Sequence, residues 1–148
     1  MVFTALLIDA DAQRVHALSG ALVSLGAVQP VEVVSSRAAA VQRLMHDGPV
    51  PEVVVMALML PDGCMTEPDL PWERWPALVH VAPGEEALAA QAMRRGVSDY
   101  FIVDPAAGYL HAFPEQVRAV MLHHQTPDVS GLLIYTCIGI ASAWLGYV

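Results

Sequence analysis

Side chains that could do chemistry are sparse here, and the acidic ones sit where apolar runs end. The run from Phe3 to Ile8 leads into Asp9, Ala10 and Asp11. A second run lies in EVVVMALMLPDG, Glu52 to Gly63. It ends at Ala57 and passes through Leu58, Met59 and Leu60 into a Pro61-Asp62-Gly63 turn. A buried parallel strand delivers its last residue to the carboxyl edge of a sheet, where α/β proteins place their chemistry. Asp9 and Asp11 are therefore the acidic candidates, and Ala57 brings only a methyl group to that edge. Asp62 and Asp104 read as turn or capping residues, because aspartate at such places satisfies backbone donors. His80 lies inside an apolar strand and reads as a hydrogen-bonded sheet histidine. His16, His46 and His111 read as surface residues, and the adjacent His123 and His124 point in different directions on a helix. Cys64 and Cys137 have no metal-ligand spacing, which suits a reducing cytosol. The chain contains no Ser-His-Asp arrangement, Gly-rich phosphate loop or CxxC motif.

Alternating strands and helices must position these residues. Phe3 to Ile8 reads as a strand, followed by an amphipathic helix that starts after Asp11, carries Val15, Leu18, Leu22 and Leu25, and stops at Gly26. Val31 to Val34 is a second strand, with Ser35 or Ser36 capping a helix that runs to Gly48. Val53 to Met56, Leu78 to Val81 and Tyr100 to Val103 are further strands. Glu85 to Arg95 and His111 to His124 are further helices. This alternation predicts a doubly wound parallel sheet. Between Gly63 and Pro76 the sequence CMTEPDLPWERW contains Pro68 and Pro71, which exclude a normal helix. Trp72 and Trp75 are expected to cover the sheet face there; the sharper reading makes one of them an exposed anchor for a partner.

Four segments, in order, carry a family likeness: LLIDAD from Leu6 to Asp11, LPDG from Leu60 to Gly63, LVHVAPGEE from Leu78 to Glu86, and GVSDYFIVDPAAGYL from Gly96 to Leu110. Over about residues 4 to 124 the chain resembles bacterial response-regulator receiver domains. The resemblance implies an α/β, flavodoxin-like fold with a doubly wound five-stranded parallel sheet, here with its third helix shortened or lost. In that family two acidic residues after the first strand and an acceptor aspartate ending the third hold Mg²⁺, a hard cation that demands oxygen ligands. The acceptor attacks a phosphoryl group, which a Ser or Thr ending the fourth strand and a Lys ending the fifth help to stabilise.

Matched position by position, Asp9 is retained and Ala10 replaces the second acidic residue, with Asp11 next in line to reach inward. Ala57 stands at the acceptor position, Val81 at the hydroxyl position and Val103 at the lysine position. The resemblance thus implies a degenerate pseudo-receiver: a phosphorylation-independent interaction module of two-component-type signalling, not an enzyme, with no cofactor and no Mg²⁺ site. Asp9, left beside apolar neighbours, is expected to titrate high unless it accepts hydrogen bonds. The family's usual partner face places Arg94, Arg95 and Tyr100 with the exposed residues of Glu115 to His124. A kinase, an effector or a second copy in a homodimer are the expected partners. A phosphoreceiver with a displaced acceptor, Asp62 or Asp104, is the competing reading, and a flavodoxin-like cofactor binder is a third.

Composition narrows the classes further. The chain has 148 residues, is 55% hydrophobic and only 15% charged, and carries a formal net charge of -8. With seven Lys plus Arg it has no evident footprint for nucleic acid. The N-terminus lacks a basic n-region and a cleavage site, so it reads as a strand and not a signal peptide. Residues 1–125 form the receiver-like domain and 126–148 a hydrophobic tail. Val129–Val148 contains no charged side chain and, at about 20 residues, is long enough to cross a bilayer. Membrane insertion, packing on the domain and exchange between protomers are the expectations for it.

Overall fold

The computed structural model describes residues 2–46, 48–67 and 70–125; the tail, with every expectation attached to it, lies outside the described residues. The chain builds β1 (Ala5–Ile8), α1 (Ala12–Leu25), β2 (Glu32–Val34), α2 (Arg37–His46) and β3 (Val53–Ala57). A small hairpin of β4 (Met59–Leu60) and β5 (Gly63–Cys64) follows, then a 3-10 turn at Trp72–Arg74. The remainder is β6 (Ala77–Val81), α3 (Glu86–Arg94), β7 (Asp99–Ile102) and α4 (Tyr109–Gln125). The main sheet has five strands in the order β2-β1-β3-β6-β7, all of them parallel.

Strand alternation splits the apolar residues into two cores, one on each face. Leu6, Ile8, Val54, Met56 and Val79 pack with Ala40 of α2 and with Ala89 and Ala92 of α3. Ala5, Leu7, Val53, Val55 and Leu78 pack with Leu18 and Leu22 of α1 and with Phe113 and Val117 of α4. Strands buried on both faces need continuous apolar runs, which explains the uninterrupted sequences of β1 and β3. Local signals set the helix ends. Asp11 accepts a hydrogen bond from the Arg14 amide at 3.0 Å to cap α1, and Gly26 closes it in the left-handed region at φ 118°. Ser36 Oγ accepts from the Ala39 amide at 3.1 Å at the start of α2.

In the third crossover Pro71 precedes only the 3-10 turn, and the two tryptophans do the covering. Trp72 and Trp75 are both buried and meet edge to face with ring centroids 5.5 Å apart. Both pack inward to cover the sheet face as expected, and neither is an exposed anchor. Among the described residues, contacts that hold the crossover include a bond from Arg95 Nη1 to the Thr66 carbonyl, one from His124 Nε2 to the Glu73 carbonyl, and the close approach of Gly96 to Glu73. A Cβ at Gly96 would lie 2.9 Å from the Glu73 amide nitrogen, so this approach requires glycine.

Two elements differ from the sequence expectation. The stretch after β3 folds as an antiparallel hairpin, pairing Met59 with Cys64 and Leu60 with Gly63, instead of a simple turn. The last helix begins at Tyr109, earlier than His111, because the Asp104 carboxylate accepts from the amides of Gly108 and Tyr109 and sets its first turn. Among the described residues, no helix is long and apolar enough to cross a membrane.

Candidate functional site

The carboxyl edge centres on Asp9, a residue only 1% exposed that follows β1 directly. Every side of its carboxylate is engaged. Oδ1 accepts from the Asp11 amide at 3.0 Å and from Arg14 Nη2 at 2.9 Å. Oδ2 accepts from Arg14 Nε at 2.7 Å and from His80 Nε2 at 2.8 Å. Three elements converge to make this arrangement. β1 delivers Asp9, the first turn of α1 carries Arg14 back over the strand end, and β6 places His80 beside Ala57 in the ladder. Burial by itself pushes the Asp9 carboxyl up. The hydrogen bonds from His80, Arg14 and the Asp11 amide outweigh it and hold the group below the usual carboxylate range. The accepted bonds are the condition under which the expected high titration does not apply. The same pairing raises the Arg14 guanidinium further above its already high value.

Asp11 does not reach inward; it is exposed and spends its carboxylate on capping α1. Ala10 is exposed. Ala57 and Val81 are buried and belong to the core on the α2 and α3 face, while Val103 is half-buried against the opposite core. A cavity of about 200 Å³ opens at this edge, lined by Arg14, Ala57, Met59, His80, Val81 and Val103.

The family's Mg²⁺ does not fit these residues. Both Asp9 oxygens face Arg14 and His80, Ala10 and Ala57 have no donor atoms, and Asp11 is committed to a helix cap. Among the described residues, no three His, Cys, Asp or Glu side chains come together in a group that could hold a metal ion.

Asp62 and Asp104 are both occupied by backbone donors. Asp62 Oδ1 accepts from the Arg37 amide at 2.7 Å and Oδ2 from the Ala38 amide at 3.0 Å, so the hairpin tip caps α2 from a distance in sequence. Arg37 Nε returns a bond to the Cys64 carbonyl at 3.1 Å. Asp104 accepts from the Gly108 amide at 2.9 Å and the Tyr109 amide at 3.0 Å. These amide donors lower both carboxyl pKa values. On the expected partner face, Arg94 is exposed at the end of α3. Arg95 is tied to the crossover, and Tyr100 is half-buried against the core while its carbonyl accepts from Gln116 Nε2 at 2.9 Å.

Arg14 and His80 are the site residues that sequence reasoning did not bring together. His80 was visible as a polar residue inside an apolar strand, but its partner lies 71 positions away. Arg14 follows Asp9 at a spacing that lets the first helical turn fold back onto the strand end.

No family model matches the chain, and no curated protein matches it. Solved structures do. A response-regulator receiver domain protein from Clostridium thermocellum superposes with a TM-score of 0.67 at 14% identity, covering 82% of this chain and 96% of that one. The phosphorylated cyanobacterial phytochrome response regulator RcpA gives 0.65 at 18% identity, covering 86% and 100%. Full-length FixJ from B. japonicum gives 0.62 at 21%, covering 95% of this chain and 68% of that one. At these identities the likeness establishes the fold: a five-stranded parallel α/β sheet of the flavodoxin-like receiver type.

Proposed function

We propose that this chain is a pseudo-receiver, a protein-interaction module of two-component-type signalling that works without phosphorylation and is not an enzyme. The observation that carries this reading is the closure of Asp9 by Arg14 and His80. A receiver needs that carboxylate for a metal ion, and the metal to offset charge during phosphoryl transfer. Here a guanidinium already neutralises it. The acceptor, hydroxyl and lysine positions hold Ala57, Val81 and Val103, so neither nucleophile nor charge stabilisation is supplied. Output then comes from surfaces presented to a signalling protein, or to a second copy of the chain, on α3, β7 and α4. Arg94 on α3 and Arg118 on α4 are exposed cations of these elements.

Incubation with acetyl phosphate and Mg²⁺, followed by intact-mass measurement, tests the reading. The expected result is an unmodified chain. Stable phosphoryl incorporation at one site, Asp62 or Asp104 above all, would overturn it and establish a displaced acceptor.

A further inference from the structure

We infer that the cavity of about 200 Å³ at the carboxyl edge binds a small zwitterion, a short-chain aliphatic amino acid. The inference rests on the closed Asp9 of the proposed function and names what that closure builds. It starts from His80, whose side chain is 5% exposed and lines the cavity. Asp9 is held below the usual carboxylate range, so it is ionised and only accepts. His80 Nε2 therefore carries the hydrogen of their 2.8 Å bond. The other ring nitrogen, Nδ1, has no hydrogen bond among the described residues. The buried side-chain atoms left without a partner among those residues are Trp72 Nε1 and Gln116 Oε1. Nδ1 is not one of them, so solvent reaches it through the cavity that its ring lines.

Two charged groups line the same cavity. Arg14 spends Nε and Nη2 on Asp9, while Nη1 comes no nearer than 3.9 Å to Asp11 Oδ2 and keeps its capacity to donate. Glu85, just before α3, accepts from the Ala82 amide at 2.9 Å with Oε1 and retains Oε2 as a further acceptor. Ala57, Val81 and Val103 supply an apolar wall. The lining thus combines a guanidinium donor, an imidazole acceptor, a carboxylate and aliphatic surface.

Charge decides between ligand classes. Arg14 and Asp9 cancel, which leaves Glu85, with Asp11 close to Arg14, to set the sign of the field. A bare carboxylate meets that negative field, and a bare amine leaves the Arg14 donor unused. A zwitterion answers both. Its carboxylate accepts from Arg14 Nη1, its ammonium donates to Glu85 and to His80 Nδ1, and its side chain packs on Ala57, Val81 and Val103. Size points the same way, because at about 30 Å³ per water the cavity holds roughly seven non-hydrogen atoms. A ligand held this way keeps the Asp9 bonds in place and stabilises the fold by mass action.

Calorimetric titration of the full chain with L-valine, isovalerate and isobutylamine tests the site; the last two are valine without its ammonium and without its carboxylate. L-valine should bind one to one, and each truncated probe about tenfold more weakly or worse, the loss expected for a bond to a charged group. Glu85→Gln should weaken L-valine by about tenfold while leaving isovalerate bound no more weakly than before. Val103→Phe, which fills the cavity from its half-buried wall, should abolish L-valine binding. The probe series on the wild-type chain decides the matter even where a variant fails to fold. No heat from L-valine at millimolar concentration, equal affinity for the three probes, or L-valine binding that survives in folded Val103→Phe would overturn the inference. Phosphoryl incorporation from acetyl phosphate overturns the pseudo-receiver reading, whereas an unmodified chain that takes up no valine overturns this inference alone.

Discussion

Asp9→Asn is the substitution that most directly tests how the edge is closed. The carboxylate accepts four hydrogen bonds, two on each oxygen. Asparagine keeps one oxygen and replaces the other with a donor amide, so two of the four donors then face a donor. Removing one member of a buried ion pair costs about 3–5 kcal/mol. The Arg14 side chain retains 26% exposure and can turn toward water, which relieves part of that loss. We therefore expect about 2–4 kcal/mol of destabilisation, a fall of roughly 1–2 M in the urea midpoint for an m-value near 2 kcal/mol/M. The assay is urea unfolding followed by tryptophan fluorescence on a protein ending at Gln125, which contains both cores. The sign of the pH dependence follows from the depressed folded pKa of Asp9. Its stabilisation is complete above the unfolded value near pH 4 and is lost as pH falls through the lower folded value. The gap between wild type and Asp9→Asn should accordingly narrow as pH drops below about 4. Equal midpoints at pH 7, or a gap that does not change on acidification, would refute the reasoning.

Further outcomes follow from other contacts. Ala57→Asp alone should not restore phosphorylation by acetyl phosphate and Mg²⁺, as read by intact mass, because Asp9 stays engaged and Val81 and Val103 supply no partner. Trp72→Ala should destabilise by about 3–5 kcal/mol in urea melts, since it empties a fully buried site. Trp72→Phe should cost much less in the same melts, because the buried indole nitrogen has no hydrogen-bond partner among the described residues. Asp62→Ala should speed hydrogen exchange at the Arg37 and Ala38 amides while leaving exchange in β1 and β3 unchanged, as followed by mass spectrometry.

Legibility in the sequence followed the range of the interaction. The cap at Asp11, the stop at Gly26 and the short 3-10 turn after Pro71 are local events, and residue type alone announces them. The strands were visible because burial on both faces demands unbroken apolar runs. The hairpin after β3 was not, since its paired strands are only two residues each and Pro-Asp-Gly reads equally as a turn. At the site, the empty positions Ala57, Val81 and Val103 were readable, and so was the isolation of Asp9. What filled the isolation was not. Asp9, Arg14 and His80 meet only after β1 and β6 take their places on either side of β3, a register no local pattern encodes. Asp11 had looked able to turn inward; the amide of Arg14 claims it first.

The hairpin tip that caps α2 has a consequence for what a partner would meet. Asp62 clamps the first amides of α2, and Arg37 at that helix start clamps the Cys64 carbonyl in return. These bonds tie the loop beyond β3 to the start of the helix beyond β2. A conformational equilibrium shifts only under a ligand that prefers one of its states. The Asp9 carboxylate, on the proposed reading, is already taken by Arg14 and His80 and is not free to bind a ligand that would shift such an equilibrium. On the proposed reading, whatever such a surface communicates is set by how many copies are present and where they are held, as with a fixed signpost and not a lever.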